Sequence, residues 1–488
     1  MIQHFKKARD RSEILLYPHV DQWISENNSV RILDKVVESF VKENIGTIEY
    51  SGKSEKGCSS YGPDTMLKLL LYGYFNWITG SRRIEKETYR NMEVIWLIGD
   101  LKPDHWTICK FRRENKDLIR TVAIELRRFL IANGYIEGKQ IAIDGSKMKA
   151  NASRDMFSEK TIIDRINNIE QQIDKYLDNS EETDEFEARL ENESKENDLL
   201  KKKIKGLEDE REKLKVLKDQ LHDKGKNYIS PTDPDANLMQ SREGKMACYN
   251  VQTGVDAKNH MIVLGEVTSD VTDMILLKTD FDNIKKQLDL NPEEIEADKG
   301  YANIGLIKEI EESNQTKCII PLLESDKKNS DFANGIQFIY DQENNQYTCP
   351  NNKKLKLISA NNKQRSQFYN TYKCKDCTGC PLRSKCTSSK SGRIIKININ
   401  NPWISLYKQR LSEPENIKKI AQRKTIVEHP FGTIKLMMGK LGLLLRNQHK
   451  VQIEVDLYTT AYNLKRLISI ESIQTLIQKI EIYKWKVV

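Results

Sequence analysis

Two aspartates stand where strand-like segments change into polar sequence. Asp144 follows the apolar run "IAI", Asp298 follows "IEA", and each precedes a turn that contains glycine. Alternation with a period of two predicts a strand in both segments, with the aspartate opposite the isoleucine face and at the last strand position. Either aspartate alone would most simply be a turn or capping residue. On neighbouring strands, however, the two acids would repel each other unless a cation lay between them.

A third carboxylate is required if two Mg²⁺ ions are to be shared and flanked by oxygen ligands. The segment "RKTIVEHPFGTIK" supplies Glu428, and Lys435 follows it by seven residues. That spacing corresponds to two helical turns, so both side chains would share one face of a helix. A proline inside a helix costs about 3 kcal/mol. Pro430 therefore predicts that Glu428 lies in the first turn of a helix or at a kink.

The segments between the acids predict the elements that must position them. "MACYNVQTGVDAKNHMIVLGEVTSD" alternates on both sides of "DAKNH" and predicts a long β-hairpin, and "DMILLKTDFDNIKKQL" predicts a helix. Strand with Asp144, hairpin, helix and strand with Asp298 is the order of an RNase H-like core. We therefore predict the α/β class, with a mixed sheet flanked by helices. Asp256, at the end of the hairpin strand, is interpreted as an acidic bystander and not as a ligand.

Residues 159–227 predict a helical hairpin inserted after the first acid. Apolar residues recur every three or four positions on both sides of the acidic "DNSEETDE", and Arg211 occupies one position of this seam. Two such helices would pack as an antiparallel coiled-coil hairpin or pair with another subunit. The pattern indicates structure or oligomerisation, so we assign it no chemistry. The seam residues are Ile162, Ile166, Ile169, Ile173, Leu200, Ile204, Leu207, Leu214 and Leu221.

Five of the nine cysteines fall between residues 349 and 386. Four belong to "CKDCTGCPLRSKC", whose C-x2-C spacing suits a tetrahedral Zn²⁺ ion. Because we find no secretion signal, we predict no disulfides, and unligated thiols are the alternative to zinc. Four thiolates suffice for a structural site, and Cys374 is a possible substitute for one of them. The favoured ligands are Cys349, Cys377, Cys380 and Cys386.

The first 135 residues predict a helical domain. "YGPDTMLKLLLYGYFNWITGSRRIEKE" has dense apolar residues interrupted at Gly80, and the segment after Pro103 predicts a short helix followed by a longer one. The tryptophans at 77, 96 and 106 have apolar neighbours and are predicted to lie in the core. Basic residues near the element ends suit DNA binding and an ordinary charged helix face equally well. They are Arg82, Arg83, Arg112 and Arg113.

Composition and charge limit the function classes. Residues 401–488 carry 15 Lys and Arg against 7 Asp and Glu, which accounts for the whole net charge of +8. A local basic surplus suits a polyanion such as DNA, although solvated surface lysines give the same count. No apolar run has membrane-spanning length, and we read no secretion signal. We therefore expect a cytoplasmic protein without a membrane partner.

The segments "IDGSKMKANAS", "ADKGYAN" and "VEHPFGTIK" together resemble the acidic motifs of bacterial insertion-sequence DDE transposases. The segments "YGPDTMLKLLLYGYFNWITGSRRIE" and "PDHWTICKFR" are similar to the helical N-terminal domain of the same enzymes, and "CxxCPLxxxC" looks like an insert found in one branch of them. One departure lies upstream of Glu428, where the expected Tyr and Arg positions hold Ala421 and Lys424, with Arg423 adjacent.

The resemblance implies a reaction and the residues that perform it. Asp144, Asp298 and Glu428 would bind two Mg²⁺ or Mn²⁺ ions for hydrolysis at terminal inverted repeats and strand transfer into target DNA. The N-terminal domain would grip the double-stranded terminal repeats, and a homodimer is the expected assembly in a bacterial cytoplasm, associated with the nucleoid. DNA phosphates near the scissile bond would be bound by Lys435 and by Arg423 or Lys424.

Six segments follow from these patterns. They are a helical DNA-binding domain (1–135), the first part of the core (136–158), the hairpin insertion (159–227), the core with the second aspartate (228–325), a Cys-rich zinc-ribbon-like insertion (326–398) and the end of the core with a basic helical tail (399–488). Two alternatives stay open at this point. One is a Mg²⁺-dependent DNA nuclease without strand transfer, and the other is a catalytically silent DNA-binding protein derived from a transposase.

Overall fold

The computed structural model of the chain describes residues 19–44, 61–153, 155–187, 194–241, 244–322, 332–333, 336–341, 343–364, 367–439 and 442–486. Two compact units divide the chain: Met1–Ile136 with Asp456–Val488, which we call the terminal unit, and Glu137–Val455, which we call the central unit. The division cuts the predicted segment 399–488 at residue 455, because the last residues pack inside the terminal unit. There, Trp485 stacks on Phe129 and meets the edge of Phe40.

The described part of the terminal unit is mainly helical. Its first helices are α1 (Val30–Asn44), α2 (Pro63–Phe75), α3 (Ser81–Arg90), α4 (Met92–Leu97), α5 (His105–Glu114) and α6 (Lys116–Ala132). In α1, Val30, Leu33 and Phe40 lie on one face and are buried, so that face meets the core. Side-chain oxygens of Asn91 and Asp104 cap α4 and α5 by accepting backbone N–H groups. The predicted succession of a short and a longer helix after Pro103 is confirmed by α5 and α6.

The central unit is built around a mixed sheet. Its strands are β1 (Gln140–Lys149), β2 (Asn237–Ser241), β3 (Gly244–Asp256), β4 (Ile262–Thr268), β5 (Glu294–Glu296) and β6 (Lys317–Ile319). Both β2 and β4 pair with one edge of β3, and the order continues through β1 and β5 to β6. β3 is antiparallel to β1 and β4, whereas β1, β5 and β6 are parallel. The fold is therefore mixed α/β, and β3 with β4 forms the predicted hairpin.

Asp144 lies in the interior of β1, so the prediction of a strand that stops before Gly145 is wrong. β1 pairs with β3 from Ile141 to Lys149, because β3 is long enough to continue the antiparallel ladder. On its other edge, β1 pairs with β5 only as far as Ala142. Asp144 thus stands just beyond the point where β1 loses one of its two neighbouring strands.

The inserted segment forms two helices, α7 (Glu159–Glu187) and α8 (Ser194–Asp223). They run antiparallel, since Phe157 bridges to Ile229 and His222 Nε2 lies 3.1 Å from Glu159. The predicted seam forms their shared core, with Leu217 as an additional member; the side chain of Leu200 lies outside the described residues. Buried there are Phe157, Ile162, Ile169, Ile173, Leu214, Leu217, Leu221 and Ile229, with Ile166, Ile204 and Leu207 packed alongside.

Helices cover the mixed sheet as the sequence predicts. α9 (Leu276–Leu288) follows the hairpin and packs against β4 and against α10 (Ile304–Asn314). Its Ile284 lies beside Gly254 of β3, where an added Cβ would be 3.4 Å from the Ile284 Cδ1 atom. None of the described helices is both long and apolar enough to cross a membrane.

The Cys-rich segment contains an antiparallel sheet with its own small core. The strands that follow β6 are β7 (Phe332–Ala333), β8 (Ile336–Gln337), β9 (Ile339–Asp341), β10 (Gln346–Thr348), β11 (Lys354–Gln364), β12 (Gln367–Lys373) and β13 (Ile394–Asn398). β13 to β9 pair in reverse chain order, and Phe338, Tyr347, Leu355 and Tyr372 form the centre of the core. One short helix, α11 (Arg383–Cys386), lies within the segment, and α12 (Asn401–Leu411) follows it.

Glu428 lies within a long helix, α13 (Pro414–Met438), so of the two predicted positions, a first helical turn or a kink, the first is wrong. Pro430 lies inside the same helix, where its ring removes one backbone donor. Tertiary packing compensates, because Ile426 and Val427 are buried against Ala142 and Val255 of the sheet. The chain continues with α14 (Gln448–Ile470), within which the boundary between the two units falls, and α15 (Ile473–Ile482).

The α7–α8 hairpin should depend on its buried seam. We expect Leu217→Ala to destabilise the hairpin by about 2–3 kcal/mol, because Leu217 is 6% exposed and its removal leaves a cavity. Hydrogen exchange of the α7 and α8 amides measures this change as faster opening. Val216→Ala is the matched control, since Val216 is 48% exposed. Equal protection of the two variants would contradict the assignment of the seam.

Candidate active site

Asp144 and Asp298 occupy corresponding positions just beyond the last paired residues of β1 and β5. Ala142 of β1 pairs with Glu296 of β5, and each aspartate follows its paired residue by two positions. Asp298 begins the single 3₁₀ turn Lys299–Tyr301 and caps it by accepting the Gly300 N–H at 2.7 Å. The parallel register therefore makes the two carboxylates neighbours.

Electrostatics supports this proximity. Burial raises the pKa of Asp144 to about 6, the nearby Arg423 guanidinium lowers it, and the charges of Asp298 and Asp273 raise it further. The Asp144 side chain is 26% exposed, so the effects of these charges are only partly screened by water. Several acids thus gather around Asp144, with one arginine opposing them.

α13 brings Glu428 and Lys435 to the same cleft as Asp144. The cleft is open and has a volume of about 660 Å³. Glu428 is exposed at its edge, and Lys435 Nζ lies 5.9 Å from the centre of the Phe431 ring. Asp298 is not among the lining residues, and the register of β5 with β1 sets it beside Asp144. The lining residues are Asp144, Gly145, Ser146, Lys147, Gln240, Ser241, Glu428, Phe431, Gly432 and Lys435.

The two basic residues upstream of Glu428 contact the acids. Arg423 Nη1 lies 3.9 Å from Asp144 Oδ2, and this nitrogen is buried without a hydrogen-bond partner in the described part of the chain. Lys424 Nζ lies 3.6 Å from Glu428 Oε1, one helical turn away, and both side chains are exposed. Arg423 therefore offsets the charge of Asp144, and Lys424 that of Glu428.

The acids are held by local donors. Within the described residues, no group of three or more His, Cys, Asp or Glu side chains is close enough to bind a metal ion. Asp144 Oδ1 accepts the Gly145 N–H at 3.0 Å, and Asp298 accepts that of Gly300.

Lys147 and Asp273 are site residues that the sequence interpretation missed. Lys147 lines the cleft, and its Nζ lies 3.2 Å from Asp273 Oδ1. Lys147 belongs to the first acidic motif, but the strand period places it on the face opposite Asp144. Asp273 precedes α9 in a loop where no pattern marks it. Only the position of the basic residue, three places after Asp144, could have drawn attention to this pair.

Asp256 has a structural role at the opposite end of β1. It is buried, and its carboxylate accepts backbone N–H groups from Glu137, Gly138 and Lys258. These bonds join the start of β1 to the end of β3. The geometry agrees with its interpretation as a bystander.

The five clustered cysteines line one small cavity in the second sheet region. Burial raises the pKa of the Cys374 thiol to about 11, and its neighbours Cys377 and Cys349 raise it further. Burial also raises the pKa of Cys386, whereas the Arg393 charge lowers it. The neighbouring thiols of Cys377, Cys349 and Cys380 raise this pKa further. Crowded thiols in an apolar cavity resist ionisation unless a cation is present. The cavity residues include Cys349, Cys374, Cys377, Cys380 and Cys386.

Three of the four arginines proposed for DNA binding in the terminal unit are exposed, namely Arg82, Arg83 and Arg113. Arg112 differs, and the structure does not support its assignment to DNA. It is 3% exposed, and its Nη1 donates to the Tyr74 hydroxyl and the Thr79 carbonyl. The period of α5 turns Arg112 inward and Arg113 outward.

The prediction that the tryptophans are core residues is wrong for Trp77 and Trp106, which are 41% and 61% exposed. Trp77 follows the end of α2 in a left-handed conformation, and Lys465 Nζ lies 5.3 Å from its ring centre. Trp106 lies in the first turn of α5, where Lys110 Nζ is 5.2 Å from the ring centre. Apolar neighbours in sequence did not reveal that these rings cover lysine chains at the surface.

Two protein-family models match the chain. One, described as a transposase DDE domain, matches residues 348–468, and the other, described as a transposase domain (DUF772), matches residues 18–114. The first range contains Glu428 and Lys435, and the second contains the exposed Arg82 and Arg83. The chain is an insertion-sequence DDE transposase. The clustered cysteines of the transposase also fall within the first range, whereas Asp144 and Asp298 lie outside both.

One solved structure is similar to the transposase over much of its length. It is the cryo-EM structure of the piggyBac transposase synaptic complex with hairpin DNA, with 9% sequence identity and a TM-score of 0.28. The match covers 92% of this chain and 77% of that chain. No curated protein sequence matches the transposase.

The raised pKa of Asp144 predicts a pH-dependent stability of the metal-free transposase. A carboxyl group whose folded pKa is raised from 3.8 to about 6 stabilises the fold below about pH 4, and this contribution is lost as the pH rises through about 6. Asp144→Asn imitates the protonated form. We therefore expect it to raise the free energy of unfolding at pH 7.5 by on the order of 2 kcal/mol and to leave it unchanged near pH 4.

Denaturant unfolding in EDTA at the two pH values measures this difference. Asp209→Asn, on the exposed face of α8, is the matched control and should change neither value. A loss of stability in Asp144→Asn at pH 7.5 would show that its charged form is favoured by the fold.

Proposed function

We propose that the transposase hydrolyses the DNA at the terminal inverted repeats of its element and transfers the ends into target DNA, with Asp144, Asp298 and Glu428 as the metal-binding acids. The observation that carries this proposal is the common cleft of Asp144, Glu428 and Lys435, beside which the β1–β5 register sets Asp298. Three acids, one in a strand, one just after a neighbouring strand and one on a helix, together with a lysine, are the groups that such phosphodiester chemistry requires.

The proposal includes an RNase H-like core. Its support is the strand order β4, β3, β1, β5, β6, in which only β3 opposes the direction of its neighbours. Asp144 lies within β1 and Asp298 follows β5, the two central parallel strands, and the third acid lies on a helix that packs on β1 and β3. The sequence predicts an RNase H-like core from this same order of elements and acids.

The chemistry of the acids, though not the spacing of their side chains in the described residues, suits a pair of Mg²⁺ or Mn²⁺ ions. The donor set consists of carboxylates, and the pKa of Asp144 is raised by burial and by neighbouring acids, which a cation would offset. When bound, two such ions supply Lewis-acid stabilisation for the attacking and leaving oxygens of an in-line displacement.

The residues of the chain have separate tasks in this proposal. Glu428 presents an exposed carboxylate from α13, and Lys435, on the same helix, binds a DNA phosphate at the cleft. Arg423 balances the charge of Asp144 until DNA and cations enter, and Lys424 does so for Glu428. Water or a terminal 3′-hydroxyl is the nucleophile, so no covalent protein intermediate is needed.

DNA recognition is assigned to the terminal unit. Arg82 and Arg83, in the first turn of α3, and Arg113, in the last turn of α5, present exposed cations to DNA phosphates. His105 Nδ1 of α5 lies 2.9 Å from Glu85 Oε2 of α3, which ties the two helices together. Because an element has two ends, a homodimer would supply one cleft for each end.

A structural Zn²⁺ ion is proposed for the cysteine cavity. Thiols in one small cavity are the donors that zinc prefers, and four thiolates leave no open coordination position. The proposed ligands are Cys349, Cys377, Cys380 and Cys386. The same proposal covers a zinc-ribbon-like fold for residues 326–398 and coiled-coil packing for residues 159–227. It also covers the remaining segment boundaries expected from the sequence.

Asp298→Asn tests the catalytic assignment. We expect the variant to bind a labelled DNA fragment carrying the element end as the parent does. Its Mg²⁺-dependent cleavage and joining should fall at least about a hundredfold, since an essential charge-stabilising group is lost. Products are resolved on denaturing gels with Mg²⁺ and with EDTA.

Asp282→Asn is the control, because Asp282 is an exposed acid of α9 whose partner is Lys278. It should retain full cleavage and joining. Equal activity of Asp298→Asn and the parent would contradict the three-acid site. Cleavage by the parent without joined products would favour a nuclease.

Zinc content tests the cysteine site. We expect about one zinc ion per purified chain by mass spectrometry of the metal. Cys380→Ser should lose it, whereas Cys374→Ser should keep it because four thiolates remain. Cys109→Ser, in the terminal unit, is the control and should keep the zinc. A zinc-free parent would contradict the proposal, and loss of zinc in Cys374→Ser would change the ligand set.

A further inference from the structure

Lys147 is a cation of the cleft to which no role has been assigned above. It lines the cleft with Asp144, Glu428 and Lys435. Its Nζ lies 3.2 Å and 3.5 Å from the two oxygens of Asp273, and the two side chains are 20% and 22% exposed. Charge-assisted N–H···O bonds are usually about 2.7–2.9 Å long. Asp273 therefore orients Lys147 without a tight bond, and a second anion can share the ammonium group.

Asp273 is itself held by amides of the adjacent strand. Its Oδ1 accepts from Asn250 Nδ2 at 2.6 Å and from Gln252 Nε2 at 2.9 Å. In the β1–β3 ladder, Lys147 pairs with Asn250, and Gly145 pairs with Gln252. The carboxylate thus lies over one face of β1 and β3 and is fixed there before any ligand arrives.

Gly145 permits this arrangement. A Cβ at this position would lie 2.6 Å from Asp273 Oδ1 and from Gln252 Nε2, closer than real contacts allow. A side chain on the residue after Asp144 would therefore displace the Asp273 carboxylate and the Gln252 amide from the places they occupy over the strand. The first acidic motif is built around this close approach and not around a strand end.

The same network extends to the second acid. The Tyr301 hydroxyl donates to Gln252 Oε1, and Tyr301 closes the turn that Asp298 caps. Lys147, Asp273, Gln252 and Tyr301 therefore form one chain of contacts that joins both acidic motifs. An ion pair needed only for stability would not require alignment with the cleft and with both motifs.

We propose that Lys147 binds a DNA backbone phosphate beside the scissile bond and that Asp273 is its positioning residue. This inference rests on the proposed function, since it concerns the same cleft. Asp144 and Glu428 repel the DNA backbone, and Lys147 and Lys435 supply positive charge on β1 and on α13. Two lysines on different elements fix the direction of the DNA strand across the acids.

The test maps phosphate contacts with the full chain. Duplexes carrying the element end, each with one phosphate replaced by an uncharged methylphosphonate, are titrated in Ca²⁺, and the affinity loss at each position is recorded. In the parent, neutralising one phosphate next to the cleavage site should weaken binding by about tenfold. Lys147→Met should bind unmodified DNA that much more weakly and be insensitive to that one replacement. The slope of its log binding constant against log salt concentration should fall in magnitude by about one.

Other variants separate positioning from charge. Lys147→Arg should restore the phosphate dependence, because it keeps the cation. Asp273→Asn should keep the salt slope but spread the sensitivity over neighbouring phosphates, which a merely structural aspartate would not do. Lys286→Met, an exposed lysine of α9, is the control and should reproduce the parent map. If Lys147→Met does not fold, Lys147→Gln is used in its place.

The inference is overturned if the Lys147 variant keeps the parent's phosphate map and salt slope, since Lys147 would then only neutralise Asp273. Cleavage assays with Asp298→Asn are run in parallel. If Asp298→Asn is inactive and Lys147→Met has the same phosphate map as the parent, the inference is refuted and the proposed function stands. If Asp298→Asn cleaves and joins DNA and Lys147→Met has lost the phosphate contact, the proposed function is refuted and Lys147 is supported as a DNA-binding residue.

Discussion

The parallel pairing of β1 with β5 is the constraint on which the rest of the site depends. Three residue pairs, ending at Ala142 and Glu296, set the two strands in register. They thereby bring Asp144 and Asp298 together although 154 positions separate them in the sequence. The two like charges raise the free energy of the folded state. Arg423 reduces that cost from α13, and the proposed cations would remove it.

The same strand also anchors the third acid. Ala142 contacts the helix through Ile426 and Val427, so the residues just before Glu428 are those that bind α13 to the sheet. Apolar burial is thus directly coupled to the position of a carboxylate, and Pro430 is tolerated because this packing holds the helix just before it. The opposite face of β1 carries Lys147 and the Asp273 network. The site therefore uses both faces of one strand where its parallel neighbour ends.

Long insertions between the acids are compatible with this geometry because they have their own cores. The α7–α8 hairpin buries the cluster around Ile162 and Leu221, and the Cys-rich segment buries another around Phe338 and Leu355. Each insertion returns the chain to the sheet without contributing to the sheet's own ladder. The long segment between Asp298 and Glu428, which stand 130 positions apart, consequently does not disturb the strand register that positions the acids.

The sequence by itself determined the types of the elements and the order of the acids, because strand alternation, helical spacing and C-x2-C spacing are local patterns. It could not locate the end of β1, since a strand continues or stops according to its partner, and β3 extends the ladder past Gly145. It could not reveal Asp273, whose role arises from contacts with Asn250 and Gln252, or the burial of Arg112. Those features depend on distant residues, and only tertiary packing decided them.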